Sequence, residues 1–386
     1  MSKKKKELEA AAGSGVAGLL NDLKSRYPGK IFNAGEYSMP WMLKRLPTSI
    51  LDLDLALSGG FPAGGMSFLT GKQGVGKNWI ANQVMREHQL RHGEATSIAV
   101  VSTEMVYDKL FAKSCGVRVA LSDLEIGELN RQMERDCGEG LAEEEIQELS
   151  DQVGDFVTVP PSTAEESLMI AIDLIASREF DIVLIDSFGS LLTEHDRDND
   201  FSGSQRVGGA AMLNTRFARK LNHALSPDSK GNPNLTCILG VNQVRDNTDR
   251  ANKYSPKTIE AGGWALKHAR WVTLAMSPQS AIKDTKMGKI GKTIRWEITK
   301  QKAGGHEGAM STFDFYYNLT GINRAEHSVT VASKYGVVKR AGAWYSYNGE
   351  KIGQGAAKAA QYIVDKGLLD EIEDLTRAAA GVRCSY

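Results

Sequence analysis

Cysteine is scarce. The 386 residues hold four, Cys115, Cys137, Cys237 and Cys384, far apart and with no CxxC pair. Neither a disulfide framework nor a zinc site is expected, and reduced thiols in a cytoplasmic protein are. Long apolar runs are missing as well: none approaches the roughly 18 residues that a membrane helix needs, and Met1-Ser2-Lys3-Lys4-Lys5-Lys6 lacks the apolar stretch of a signal peptide. There is no excess charge of either sign, with 47 Lys and Arg against 47 Asp and Glu, so the overall balance points to no polyanionic partner. Internal repeats are absent, and low complexity is limited to the lysine run. What remains is 41% hydrophobic and 24% charged, enough for one large domain with smaller appendages.

The distribution of charge is less even than its sum. From Asp123 to Asp155 there are twelve acidic residues and two arginines, Arg131 and Arg135. That stretch carries −10 and the rest of the chain +10. A basic body with an acidic insert suits nucleic-acid binding; a solvated helical surface explains the same charges.

Along the chain, residues 7–27 read as an amphipathic helix that Pro28-Gly29 ends. Apolar runs follow at 66–70, 97–101, 156–159, 182–185, 235–241 and 271–276, separated by helix-like segments. Strands alternating with helices predict an α/β fold, a mostly parallel twisted sheet with helices on both faces. Ser162-Thr163-Ala164-Glu165 reads as a capping box before the helix that precedes residue 182. A further strand at 312–317 would close the sheet. Composition then changes to small helices and turns. The expected division is 1–45, an N-terminal helix and strand for oligomerisation; 46–323, the core with an acidic insert at about 118–155; and 324–386, a small α+β C-terminal domain.

Gly71-Lys72-Gln73-Gly74-Val75-Gly76-Lys77-Asn78 follows the first of these core strands and opens a helix. Its glycines let backbone N–H groups converge on anionic oxygens, the helix N-terminus adds partial positive charge, and Lys77 can reach the β- and γ-phosphates. A nucleoside triphosphate, ATP with Mg2+, is the first ligand to expect. The GxxxxGK[ST] pattern ends in Asn78, whose amide oxygen can touch magnesium but is bulkier and aimed differently from a hydroxyl. Metal hold and turnover are therefore in question.

Hydrolysis needs a metal anchor, a group to orient water and a cation to offset charge on the γ-oxygens. Asp186, ending the run 182–185, is the candidate metal partner with Asn78; starting a turn is its other reading. Glu104 follows the strand at 97–101 and can polarise a water if that strand lies beside the loop's own; stabilising a helix dipole is the alternative. Gln243 ends another buried strand, where a neutral amide can sense the γ-phosphate or simply satisfy a loop backbone. Two aperiodic stretches follow strand ends at 194–209 and 246–263. Arg206, Gly208, Gly209, Arg245, Arg250, Lys253, Tyr254, Lys257, Gly262 and Gly263 supply the cations, free N–H groups and one aromatic that a groove for single-stranded DNA would use. A surface loop is the plain alternative.

Taken together, these motifs resemble the RecA family of strand-exchange recombinases over most of residues 46–360. Residues 46–57 are similar to the segment before the family's phosphate loop, Ser102-Thr103-Glu104 to its catalytic glutamate, Ile185-Asp186-Ser187 to its second nucleotide motif and Val241-Asn242-Gln243-Val244-Arg245 to its glutamine switch. Gly262-Gly263-Trp264-Ala265-Leu266-Lys267-His268 resembles the end of its second DNA loop, and residues 341–355, AGAWYSYNGEKIGQG, its bacterial carboxyl-terminal domain. The resemblance implies an ATP-dependent, head-to-tail helical filament on single-stranded DNA that pairs it with homologous duplex in recombination and repair. Lys300 and Lys302 match paired lysines that reach a neighbour's triphosphate, and the N-terminal helix would pack on that neighbour. Asn78 and Trp79 replace the usual hydroxyl pair in the nucleotide site, the acidic segment is enlarged, Met212 stands where a basic residue is expected, and no long acidic tail precedes Tyr386. These departures suggest a divergent member, such as a phage could encode. An ATP-gated filament scaffold with slow hydrolysis is the alternative function. A ring-forming helicase fits the carboxyl-terminal match poorly.

Overall fold

The four central strands, at 66–71, 97–102, 182–186 and 237–243, are buried on both faces, and the reason is that two layers of helices cover one sheet. The computed structural model describes residues 15–28, 31–32, 35, 38–104, 106–189, 209–246, 258–260, 263–318 and 321–382. In chain order the elements are α1 (Gly15–Arg26), α2 (Pro40–Leu43), β1 (Arg45–Leu46), α3 (Leu51–Ala56), β2 (Phe61–Pro62), β3 (Met66–Gly71), α4 (Lys77–His92), β4 (Ser97–Ser102), α5 (Lys109–Ser114), α6 (Asp123–Cys137), α7 (Glu143–Ser150), β5 (Asp155–Val159), α8 (Ala164–Ser177), β6 (Ile182–Asp186), α9 (Gly209–Ala224), β7 (Cys237–Asp246), β8 (Thr258–Glu260), α10 (Gly263–Ala269), β9 (Arg270–Asp284), β10 (Gly288–Gln301), β11 (Met310–Tyr316), α11 (Arg324–Lys334), β12 (Lys339–Ala341), β13 (Trp344–Tyr347), β14 (Glu350–Gln354), α12 (Ala356–Asp365) and α13 (Leu369–Ala379).

The main sheet runs β11-β10-β9-β3-β7-β6-β4-β5, with β8 against β7. From β9 to β5 its pairs are parallel; β10 and β11 extend it antiparallel. The expected α/β class is the observed one. Side chains alternate between two cores, as a period of two requires. Ile182 and Leu184 face the layer holding Trp79, Ile80 and Val84 of α4, whereas Val183 and Ile185 face Leu168 and Ile172 of α8, Phe217 of α9 and Leu266 of α10. A separate cluster of Val329, Val338, Tyr345, Ile352, Ile363 and Ile372 fills the C-terminal unit, whose first helix is capped by Asn323.

Several sequence expectations need correction. The capping box at 162–165 is displaced: Thr163 is the N-cap and accepts from Glu166 N at 3.3 Å, while Ser162 Oγ bonds the Glu166 carboxylate. The helix starts one residue later than the motif suggested, which moves every capping role by one. β7 extends to Asp246, beyond the run expected at 235–241, so Arg245, just before the second aperiodic stretch, lies on the strand. β10 was not foreseen, although Ile294, Trp296 and Ile298 alternate with Arg295 and Glu297 as a half-buried strand requires. Of the expected N-terminal helix and strand, the helix is α1, and residues 29–30, 33–34 and 36–37 after it lie outside the described residues.

The acidic insert is a helical hairpin, α6 and α7, bridging β4 and the edge strand β5. Ser122 and Glu125 form a full capping box, which supplies acceptors to orphan N–H groups and places carboxylates in the first turn, where the helix dipole favours them. Lys109 to Glu125 at 2.8 Å and Arg118 to Asp151 tie the hairpin to the body. Apart from Ile126, the residues of these two helices are not buried.

Candidate functional site

Four neighbouring strands, β3-β7-β6-β4, end at one edge of the sheet, and each delivers one expected residue there. The register sets Gly71 beside Gln243, Val241 beside Asp186, and Asp186 beside Ser102. Carboxyl ends of parallel strands are where an open α/β sheet forms its ligand crevice. One premise changes: β4 is not next to β3, since β7 and β6 lie between them. Glu104 arrives because the chain beyond β4 folds over β6. Thr103 N donates to Asp186 O at 2.7 Å, and Ser187 N donates to Thr103 Oγ1 at 2.9 Å.

The phosphate loop has the conformation its glycines permit. Gly74 and Gly76 have φ of +72° and +90°, a region costly for side-chain-bearing residues, and a Cβ on Gly71 would lie 2.5 Å from Met276 O. Val75 is 2% exposed and anchors the loop in the core, leaving its backbone for the ligand, while Lys72 and Gln73 stay exposed. Lys77 Nζ donates to Gly71 O at 2.9 Å and Lys72 O at 2.8 Å; burial lowers its pKa, with the charges of Asp186 and Glu104 opposing. Trp79 is buried between Phe313 and Phe315, at ring distances of 5.6 and 5.4 Å. Its bulk therefore fits the core without displacing the loop.

Asn78 Nδ2 donates to Asp186 Oδ2 at 2.7 Å. Burial raises the Asp186 pKa, as does the charge of Glu104; the Asn78 bond and Lys77 pull it back only in part. Gln243 Nε2 donates to both Glu104 oxygens, at 3.0 and 3.3 Å, and Ser187 Oγ to Glu104 Oε1 at 3.1 Å. Around these groups lies a cavity of about 470 Å3, with Tyr107, Asp108, Phe111 and Phe315 on its wall. Apolar walls, an N–H-rich loop and convergent carboxylates suit a nucleotide. The donor set also suits magnesium, which keeps waters and substrate phosphates and takes one or two protein ligands; among the described residues no cluster of three His, Cys, Asp or Glu offers a full protein cage. Asp186 and Asn78 are the residues that would hold it.

Lys300 and Lys302 lie elsewhere. Lys300 pairs with Thr273, level with Phe68 in the middle of β3, and Lys302 N donates to Trp271 O, near its start, whereas the loop begins at its end, about 10 and 15 Å further along the strand. Both ammonium groups hold carbonyls at the end of α10: Lys300 that of Lys267, Lys302 that of His268 at 3.1 Å. Burial, then the neighbouring Lys302, lowers Lys300 to about 8.

Of the expected DNA-contacting residues, Arg206, Gly208, Arg250, Lys253, Tyr254, Lys257 and Gly262 lie outside the described residues. Gly209 opens α9 and Gly263, at φ +73°, opens α10; a Cβ on Gly263 would sit 3.5 Å from Ala211 Cβ, so the ends of the two stretches meet. Trp264 beside them is 77% exposed, with Lys267 Nζ 5.4 Å from its ring centroid. Sequence reasoning singled out Tyr254 alone for stacking and passed over this indole. It also missed Lys292, which β10 brings to the phosphate loop to bond Gly74 O. No local pattern could have found Lys292, because only the pairing of β10 with β9 and β11 puts it there.

A family model described as the RecA N-terminal domain matches residues 135–323, and one described as the RecA C-terminal domain matches residues 328–381. The chain is 29% identical to Protein RecA of Rhodospirillum rubrum over 382 residues, covering 98% of this chain and 89% of that one. It is 28% identical to Protein RecA of Heliobacterium modesticaldum over 93% of this chain and 90% of the other, and 28% identical to that of Leptospira biflexa over 87% and 75%.

Proposed function

This chain belongs to the RecA family, whose work is DNA recombination and repair, and we propose that it does so as a DNA-dependent ATPase forming a head-to-tail filament on single-stranded DNA. The observation that carries this reading is the meeting of Lys77, Asn78, Asp186, Glu104 and Gln243 at one cavity. Bound magnesium would supply a Lewis acid at the phosphates. Lys77 and the loop N–H groups hold the triphosphate, Asp186 and Asn78 would hold the metal, and Glu104 accepts a proton from the attacking water.

Gln243 is the link to DNA. Its amide bonds Glu104 while its strand continues into the second DNA stretch, so a γ-phosphate that draws the amide away frees Glu104 and shifts the chain beyond Asp246. Gly209, Arg245, Gly263 and the exposed Trp264 stand where DNA would bind, the indole offering a face on which a base can stack. Lys300 and Lys302 serve the triphosphate of an adjacent protomer, because they are too far from their own loop. The slow-hydrolysis scaffold is not favoured: it has no use for a carboxylate placed and oriented as Glu104 is.

ATP turnover by the purified protein, measured with and without single-stranded DNA, tests the reading. Stimulation, together with joint molecules formed between circular single strands and linear homologous duplex, is the expected result. Neither stimulation nor joint molecules with any nucleotide overturns it.

A further inference from the structure

Resting on that nucleotide site, and going beyond it, we propose that Lys292 is a second triphosphate-binding residue, supplied by the same protomer, that makes nucleotide binding in this chain less dependent on magnesium. Lys77 and Lys292 are the cations on the cavity wall, set against the carboxylates Glu104, Asp108 and Asp186. Both stand in the same relation to the loop. Lys77 Nζ rests on the carbonyls of Gly71 and Lys72, and Lys292 Nζ on the carbonyl of Gly74. Carbonyls are weak holders of an ammonium compared with phosphate oxygens, to which its hydrogen bonds are charge-assisted.

The strand delivers this side chain deliberately. Ile298, Trp296 and Ile294 face the core on the α4 side, and Ile294 Cδ1 lies 3.5 Å from where a Cβ on Gly76 would be. One step of two residues further, the same face presents Lys292 to the loop. Register shifts against β9 flank it, between Lys289 and Gly291 and between Thr293 and Ile294; such bulges re-aim side chains beside functional sites. No carboxylate pairs with Lys292 among the described residues. Its other neighbours are the rings of Phe315 and Tyr317, at 5.7 and 5.9 Å, which favour a cation without neutralising it. A cation left without a counter-charge at a phosphate cradle is suited to the anion itself.

Equilibrium binding of a fluorescent ATP analogue to the full-length protein, with magnesium and with EDTA, tests this, with AMP measured by competition. Lys292→Gln should weaken the ATP analogue about tenfold in EDTA and less with magnesium, the size of one charge-assisted contact. AMP should change less than about twofold, and Lys292→Arg should restore most of the loss. Equal losses for AMP and ATP would reduce Lys292 to a prop of the loop, and no loss would remove it from the site; either overturns the proposal. Lys77→Ala separates the layers: if it binds the analogue as well as the wild type does, the nucleotide site itself is misplaced.

Discussion

Strand β6 has an aspartate at each end, and the two are opposites. Asp181, just before it, accepts from Ser97 N at 3.0 Å and Ser97 Oγ at 3.1 Å, is bonded by Lys44, and has His88 Nε2 3.2 Å away. Burial pushes its carboxyl up, but the His88 and Lys44 bonds and charges outweigh burial and hold it well below the usual carboxylate range. Asp186, at the far end, is partly buried with one amide donor and a neighbouring carboxylate, and its pKa is raised. The amino edge of the sheet completes its charges internally; the carboxyl edge leaves them incomplete around a cavity. Groups satisfied within the fold stabilise it, and groups left short of partners are ready for a ligand.

Exchanging these aspartates for asparagine breaks the comparison if it is wrong. Asp186→Asn should cut ATP turnover about a hundredfold, as loss of a preorganised charged group does, with an unfolding midpoint at pH 7 no lower than the wild type's. The sign follows from its raised pKa: the folded state holds its proton more tightly than the unfolded chain, so an ionised Asp186 costs stability at neutral pH, and Asn removes that cost. Asp181→Asn should do the reverse, retaining nucleotide binding while losing about 2 kcal/mol in denaturant titration, a value discounted for partial exposure. Because the folded Asp181 pKa is depressed, its contribution is present above the unfolded value near 4 and is lost as pH falls below it. The wild type should therefore weaken between about pH 5 and 2 in a way that Asp181→Asn flattens.

Smaller effects sharpen the contrast. Asn78→Thr restores a hydroxyl beside Asp186 and should raise ATP turnover about tenfold in magnesium, with the gain appearing as a lower magnesium requirement in a titration. An already brisk wild-type rate, unchanged in the variant, would show that the amide serves as well. Lys300, at about 8, loses its charge as pH rises from 7 to 9, so ATP-dependent filament formation measured by light scattering should fall about threefold over that range. Lys300→Arg should keep it level.

Much of this was legible in the chain itself. The glycine positions around Lys77, the apolar runs of the core strands and the terminal polar residues Glu104, Asp186 and Gln243 are local signals, since backbone freedom and side-chain period are properties of neighbouring residues. The capping box failed by one residue because a helix start is decided by competing acceptors a few ångströms apart. β10 was missed although Ile294, Trp296 and Ile298, all buried, alternate with Arg295 and Glu297, a period-two signal that is local. Trp264 was passed over because exposure is not visible in a sequence.

The sequence alone carries the local signals of the proposed chemistry: a glycine-rich loop, two carboxylates and an amide at strand ends, and a family pattern that holds them in order. Tertiary structure alone decided who meets whom. It placed β7 and β6 between β3 and β4, folded Glu104 back onto Gln243, set Lys300 and Lys302 back from the loop along β3 and brought Lys292 to Gly74. Strand order and register are set by long-range burial of both sheet faces, and no window of neighbouring residues contains that information.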